Sequence, residues 1–249
     1  MYYLYTTGQG KTYPVEMGYQ FIDSKDIVYN YEEITALCSS CGNFNKGGGC
    51  PPLAPKFEKI SENKDFGIII YAKLDSIYKP EKVKKNNNYY IHYRFQDVIL
   101  SNLLTKLGYM IRDDFEDMLF LNNGYCMGCR SKCNFKKGEN TCLKPERRTF
   151  SLEATGINVE RTLKEQFDIT LQWYNKENYQ EIDYMVKAIG LFYKNREYDQ
   201  KIDQFFLNYL NSLSSTKYKI GTSIFKDILM GKILRTVRTG DGSKPDVEI

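Results

Sequence analysis

The chain of 249 residues is long enough for one large domain or two small ones, and its 42% hydrophobic and 27% charged content suits a globular protein with a buried core. A formal net charge of +4, with acids interleaved among the bases, gives no indication of nucleic-acid binding. No stretch approaches the eighteen consecutive apolar residues of a membrane span, and the 21 tyrosines read as compositional bias.

The N-terminal "MYYLYTTGQGKTYPV" lacks the basic start and apolar middle of a secretory signal, so a cytoplasmic location is expected. In a reducing compartment clustered cysteines serve as metal or redox ligands more often than as disulfides, and the odd count of seven fits no closed disulfide framework. The first group is Cys38, Cys41 and Cys50 in "CSSCGNFNKGGGCPP". Next, "FGIIIYAKL" (66–74) reads as a buried strand and "KKNNNYY" (84–90) as a polar loop or helix entry. Phe95, Val98, Ile99, Leu103 and Leu107 recur at helical spacing, with Gly108 as the stop. "DMLFLNNG" (117–124) reads as a second strand. Strand, helix and strand make a βαβ crossover that delivers the chain into the second group: Cys126, Cys129, Cys133 and Cys142.

Downstream, Ser151 is expected as an N-cap, Asn158 restarts a helix after Gly156, and "DITLQWY" (168–174) reads as a strand. From Asn175 the pattern turns helical, with one stripe of Tyr184, Ala188, Leu191 and Phe192 and another of Ile202, Phe205, Phe206, Tyr209, Leu210 and Leu213. Near the end, Phe225, Ile228, Leu229 and Ile233 alternate with Lys226, Lys232 and Arg235. This basic amphipathic stretch reads as a core-packed helix or as a partner- or membrane-surface helix, followed by a disordered tail. The expected class is α/β (or α+β), with a βαβ-type core, two cysteine-rich metal loops and a helical C-terminal region. The expected organisation is a metal-binding domain over 1–174, a helical extension over 175–213, and the basic stretch and tail over 214–249.

The second group has the spacing C-x2-C-x3-C-x8-C. Thiolates are soft ligands that suit zinc, copper(I) and iron–sulfur clusters. Zinc sites are usually built from two separated pairs, whereas three cysteines within eight residues suit a cubane, which takes ligands from several directions. The match to the ferredoxin run is partial: the two short gaps occur there, but Pro145 follows Cys142 at a distance. The first group, C-x2-C-x8-C, is followed by Pro51 and Pro52 and surrounded by Gly42, Gly47, Gly48 and Gly49. Those glycines let the backbone curl around a cluster and aim N–H groups at its sulfurs; the plain reading is a flexible loop. No eighth cysteine exists. The fourth ligand at the first group is therefore another residue (His92, the sole histidine, or a carboxylate), a partner or small thiol, or an open iron that binds substrate as a Lewis acid. Enzymes that cleave S-adenosylmethionine space their cysteines in the reverse order, and no phosphate-binding glycine motif is present.

"LNNGYCMGCRSKCNFKKGENTCLKPERRTFSLEATGINV" resembles the signature of an uncharacterised family of predicted metal-binding proteins of anaerobic bacteria and archaea. The matching elements are Gly124 to Cys129, Cys133, Cys142 to Glu146, Ser151 to Val159, and upstream Cys38, Cys41 and Cys50 to Pro52. The resemblance implies metal binding and no particular reaction. Many members carry a further cysteine after Cys-Pro-Pro, and this chain has none there. Glu153 matches a motif position, where it orders the cluster loop, touches substrate, or serves only as a helix N-terminal acid. Arg130, Lys132, Lys136 and Lys137 crowd the second loop, where they offset cluster charge, dock an acidic partner, or are simply solvated.

The expectation is one or two [4Fe–4S] clusters, with zinc as the alternative. The partner is a redox protein or a small-molecule substrate. An electron relay, an enzyme with an open iron, and a zinc-stabilised interaction module are the three classes. The missing fourth ligand favours the enzyme, and the basic loop favours the relay.

Overall fold

The computed structural model describes residues 2–115, 117–129 and 133–213. The basic amphipathic stretch and tail over 214–249, together with Arg130 and Lys132, lie outside the described residues. Among the described residues no helix is long and apolar enough to cross a membrane.

The elements in chain order are β1 (Tyr2–Thr6), β2 (Thr12–Asp23), α1 (Tyr31–Cys38), α2 (Phe57–Ile60), β3 (Phe66–Asp75), α3 (Glu81–Lys84), α4 (Tyr89–Asp114), β4 (Leu119–Asn122), β5 (Phe150–Ser151), α5 (Val159–Phe167), β6 (Tyr184–Tyr193) and α6 (Tyr198–Leu213). The strands form one sheet in the order β1-β2-β3-β6-β4-β5. Every neighbouring pair is antiparallel except β4 with β5. Because β3 and β4 are both antiparallel to β6, they run parallel to each other. The expected strand–helix–strand crossover is therefore present, but split, with β6 inserted between its two strands.

The continuous apolar run of β3 follows from burial on both faces. Ile68, Ile70, Ala72 and Leu74 face α4 and α6, meeting Leu100, Leu103, Leu104, Leu107, Ile202 and Phe206. Ile69 and Tyr71 point the other way, into a second cluster with Phe57 of α2, Leu163 of α5, Leu152 and Ile157. The mixed α+β protein is thus three layers: helices, sheet, helices. Asn88 caps α4 by accepting from Tyr90 N at 3.0 Å, and Asn158 caps α5 by accepting from Arg161 N at 2.9 Å. Ser151 Oγ accepts from Ala154 N at 3.0 Å, capping a short 3-10 turn at Glu153–Thr155.

Three local expectations are corrected. Residues 184–192 form strand β6, which pairs with β3 along its whole length. Residues four apart share a helix face, but they share a strand face too: Ala188 and Phe192 both point into the second cluster, while Leu191 points into the first. Residues 168–174 form no strand: Asp183 N donates to the Gln172 side chain, not to a ladder partner. Gly108 does not end α4, which runs on to Asp114. A Cβ at Gly108 would lie 2.2 Å from the Phe120 ring, so the missing side chain lets α4 approach β4. The β1–β2 hairpin, which the sequence reading passed over, carries its own alternation: Tyr13, Val15 and Met17 are buried on one face.

Gly108→Ala separates two opposed effects. Helix propensity alone favours alanine by about 1 kcal/mol. The contact with Phe120 costs about 1–3 kcal/mol through overpacking. We expect net destabilisation, read as a lower urea midpoint at unchanged slope; a stabilised variant would show that α4 does not depend on this close approach.

Candidate metal centre

The first thiol group begins at a helix end. Asn30 caps α1, accepting from Glu33 N at 3.2 Å, and Cys38 closes its last turn. The chain then descends through a run of tight turns. Cys41 N donates to Cys38 O at 2.9 Å, Cys50 N to Gly47 O at 3.0 Å, and Ala54 N to Cys50 O at 3.0 Å. The second group lies in the long connection from β4 to β5, where Thr149 N points at Cys126 Sγ at 3.5 Å.

The two loops are docked on each other through the glycine run, which is no loose loop. A Cβ at Gly48 would lie 2.5 Å from the Phe135 ring. One at Gly49 would lie 2.3 Å from Thr149 O and 3.0 Å from Cys126 Cβ. Arg148 fastens the junction. Its Nε donates to Gly48 O at 2.7 Å and its terminal nitrogen to Leu53 O at 3.0 Å. The guanidinium also lies 5.0 Å over Phe135 and 4.9 Å over Phe150. The sequence reading passed over Arg148, whose signal is the Arg-Arg pair that closes the second loop. Beside it, Tyr109 OH donates to Arg147 O at 2.6 Å and its ring lies between Arg112 and Arg147.

All seven cysteines are free thiols. Burial pushes the Cys50 thiol up to about 11, helped by Cys41 and Cys38 and opposed by the Lys136 charge. Burial also raises Cys38, followed by Glu153 and Cys41. Cys129 is raised by burial and then by Cys142, Cys133 and Cys126. The members of each group therefore act on one another electrostatically, and Cys50 also feels Cys126. Among the described residues no three His, Cys, Asp or Glu side chains stand as a ready ligand set for a metal ion. The donor chemistry nonetheless fits a soft metal group: seven thiols, an N–H directed at a sulfur, and lysine and arginine side chains nearby to offset thiolate charge. Lys136 stands 4.9 Å over the Tyr125 ring. His92 belongs elsewhere. It is buried, its Nε2 lies 2.8 Å from Asn86 O, and its ring packs on Tyr179.

A cavity of about 600 Å³ opens beside the first group. Cys38, Cys41 and Cys50 line it; no cysteine of the second group does. Its sheet-side wall exists because β4 is short. Strand β4 pairs with β6 only over Gly190–Phe192, so the β6 edge from Met185 to Ala188 faces the cavity unpaired on that side. Residues 171–174, expected in a strand, form part of the wall. Lys187 projects from β6 onto Asp97 of α4 at 2.5 Å, and Arg94 holds the other Asp97 oxygen at 2.8 Å. Tyr174, also on the wall, accepts from buried Lys79 Nζ at 2.7 Å and donates to Gln96 Oε1.

Two adjoining cysteine groups, one of them facing a cavity, thus sit on a three-layer sheet scaffold. The model of the family described as predicted metal-binding protein (DUF2284) matches residues 20–191, and the chain belongs to that family. No curated protein and no solved structure matches the chain.

Two predictions follow from the site's packing. Arg148→Lys keeps the charge but loses the two-pronged link to Gly48 and Leu53. In metal-free protein we expect Cys50 and Cys126 to react with a disulfide reagent faster by about ten-fold, on the order of one to two lost hydrogen bonds; unchanged rates would show that the loops dock without Arg148. Lys79, 3% exposed, is held down to about 8 by burial, with Lys84 adding to the effect. Its folded value lies below its ordinary 10.5, so the unfolded chain binds more protons between those pH values and this group's contribution to stability rises with pH across that window. Lys79→Met should therefore exceed the wild type in stability at pH 7 by about 1–3 kcal/mol. The gap should close as the pH approaches 10, as read by urea unfolding at both pH values.

Proposed function

We propose that this protein binds iron–sulfur clusters of the [4Fe–4S] type and acts on a small molecule held in the cavity at the three-cysteine group. Cys126, Cys129, Cys133 and Cys142 would hold one cluster completely. Cys38, Cys41 and Cys50 would hold a second with three protein thiolates. The observation that carries this reading is the asymmetry of the cavity: the three-thiol group lines it and the four-thiol group does not. When bound, a cluster with one iron free of protein thiolate supplies a Lewis acid and a one-electron redox centre beside the cavity. The chain's own contribution is positional. Gly48 and Gly49 let the first loop lie close against the second, and Arg148 holds the two together. Glu153, on the cavity wall, sets a negative charge near Cys38. The reaction classes that suit such a site are sulfur transfer, desulfurisation and dehydration.

The close seating of Gly49 on Cys126 supports a second reading, an electron relay between adjoining groups. The two readings are compatible if the four-thiol group passes electrons to the site at the cavity.

The test is metal analysis of protein purified without oxygen. About eight irons and eight acid-labile sulfides per chain are expected, the count for two cubanes. Cys142→Ala should lower both by about half. One or two zinc ions with no sulfide would overturn the reading and leave a zinc-stapled interaction module. A relay without catalysis would show the full iron count but an electron paramagnetic resonance signal insensitive to any small molecule that enters the cavity.

A further inference from the structure

The sheet-side wall of the cavity carries a charge arrangement that the metal reading does not use. Lys187 stands on the unpaired edge of β6, its side chain 16% exposed, and donates to Asp97 Oδ1 at 2.5 Å. The same carboxylate takes Arg94 at 2.8 Å, Ser101 Oγ at 3.2 Å and Tyr93 OH at 3.3 Å. Asp97 is 5% exposed and saturated with donors, so it cannot serve as a free base. Two cations share this one carboxylate, which leaves one positive charge uncompensated. Among the described residues Lys187 has two acceptors, Asp97 and, at 3.4 Å, Asn123 O. An ammonium has three N–H groups, so one remains for a ligand in the cavity that Lys187 lines.

Negative charge sits on the other walls. Glu153 lies near Cys38, Glu33 belongs to α1 beside its Asn30 cap, and Glu160 of α5 accepts from Trp173 Nε1 at 3.4 Å. The cavity is therefore polarised, with carboxylates on the α1 and α5 sides and one cation on the sheet side. A mostly buried ammonium with a spare N–H makes the sheet side the one place on these walls, among the described residues, where an oxyanion gains a charge-assisted hydrogen bond, while the carboxylates turn its negative end away from the α1 and α5 sides.

We infer that Lys187 anchors the carboxylate of a small organic acid, with Asp97 holding the ammonium in place, so that the acid's other end is presented to Cys38, Cys41 and Cys50. The substrate class is then a short thiol- or hydroxy-carboxylic acid. This inference rests on reading the cavity as a substrate site, but not on the identity of the metal.

The sole tryptophan, Trp173, lines the cavity and is 64% exposed, so its fluorescence reports occupancy without help from the cluster. The probes are 3-mercaptopropionate and its neutral amide, titrated into anaerobically purified full-length protein. The acid should give a saturable change, and the amide should bind at least about ten-fold more weakly, the loss of one charge-assisted hydrogen bond. Lys187→Gln should abolish the preference for the acid and Lys187→Arg should retain it. Asp97 stays paired with Arg94 in both variants, so the fold has no reason to fail. Equal affinities for acid and amide, a preference that survives Lys187→Gln, or no saturable change below about 10 mM would each overturn the anchor. Preference for the acid in a preparation without iron or sulfide would leave the anchor standing while the cluster reading falls. A cluster spectrum perturbed equally by acid and amide would do the reverse.

Discussion

The contact on which the rest depends is the seat of Gly49 against Thr149 and Cys126. Any side chain there would place a carbon 2.3 Å from a carbonyl oxygen, so only a glycine permits the first cysteine loop to lie on the second. Arg148 then fastens the junction by donating to two carbonyls of the first loop while its planar cation rests on Phe135 and Phe150. Burial at this junction raises Cys50 and brings it within reach of the charge of Cys126. Two thiol groups more than seventy residues apart thus become one neighbourhood without sharing an element of secondary structure.

A second consequence comes from an unequal pair of strands. β6 is 10 residues long and β4 only 4. Where β4 ends, the chain turns away into the second loop, and the uncovered part of the β6 edge becomes the wall of a cavity. A charged side chain at the centre of a sheet is ordinarily costly to bury. Lys187 is tolerated because Asp97 reaches it from α4, and the arrangement places a positive charge on the wall of the cavity that the first thiol group also lines. The same shortfall in β4 therefore creates both the space and its polarity.

Much of the scaffold was legible in the chain. The run Ile68–Ile70 marks a strand buried on both faces, the spacing through Leu103 and Leu107 marks α4, and Asn158 marks the start of α5. Reading failed where two periodicities coincide or where a glycine acts through a distant partner. Tyr184, Ala188 and Phe192 share a face in a helix and in a strand alike, and only the pairing of β6 with β3 and β4 decides between them. Gly108 resembles a helix stop because Phe120, twelve residues on, cannot be seen beside it in the sequence. Residues 168–174 had the alternation of a strand, but their polar links run through side chains, with Gln172 accepting from Asp183 N and Tyr184 OH donating to Thr170 O, and residues 171–174 line the cavity instead of joining the sheet.

The sequence by itself determined the chemistry on offer: seven thiols in two spaced groups, glycine and proline around the first, and lysine and arginine around the second. Residue type and local spacing are short-range properties, fixed by covalent order. Tertiary structure alone decided which group faces a cavity, that the glycine run is an interface, and that Lys187 and Asp97 meet on the wall of that cavity. These outcomes depend on where β4 stops and on which strand lies beside it. Such long-range pairings are set by the competition of whole elements for one buried sheet, and no local stretch of residues encodes them.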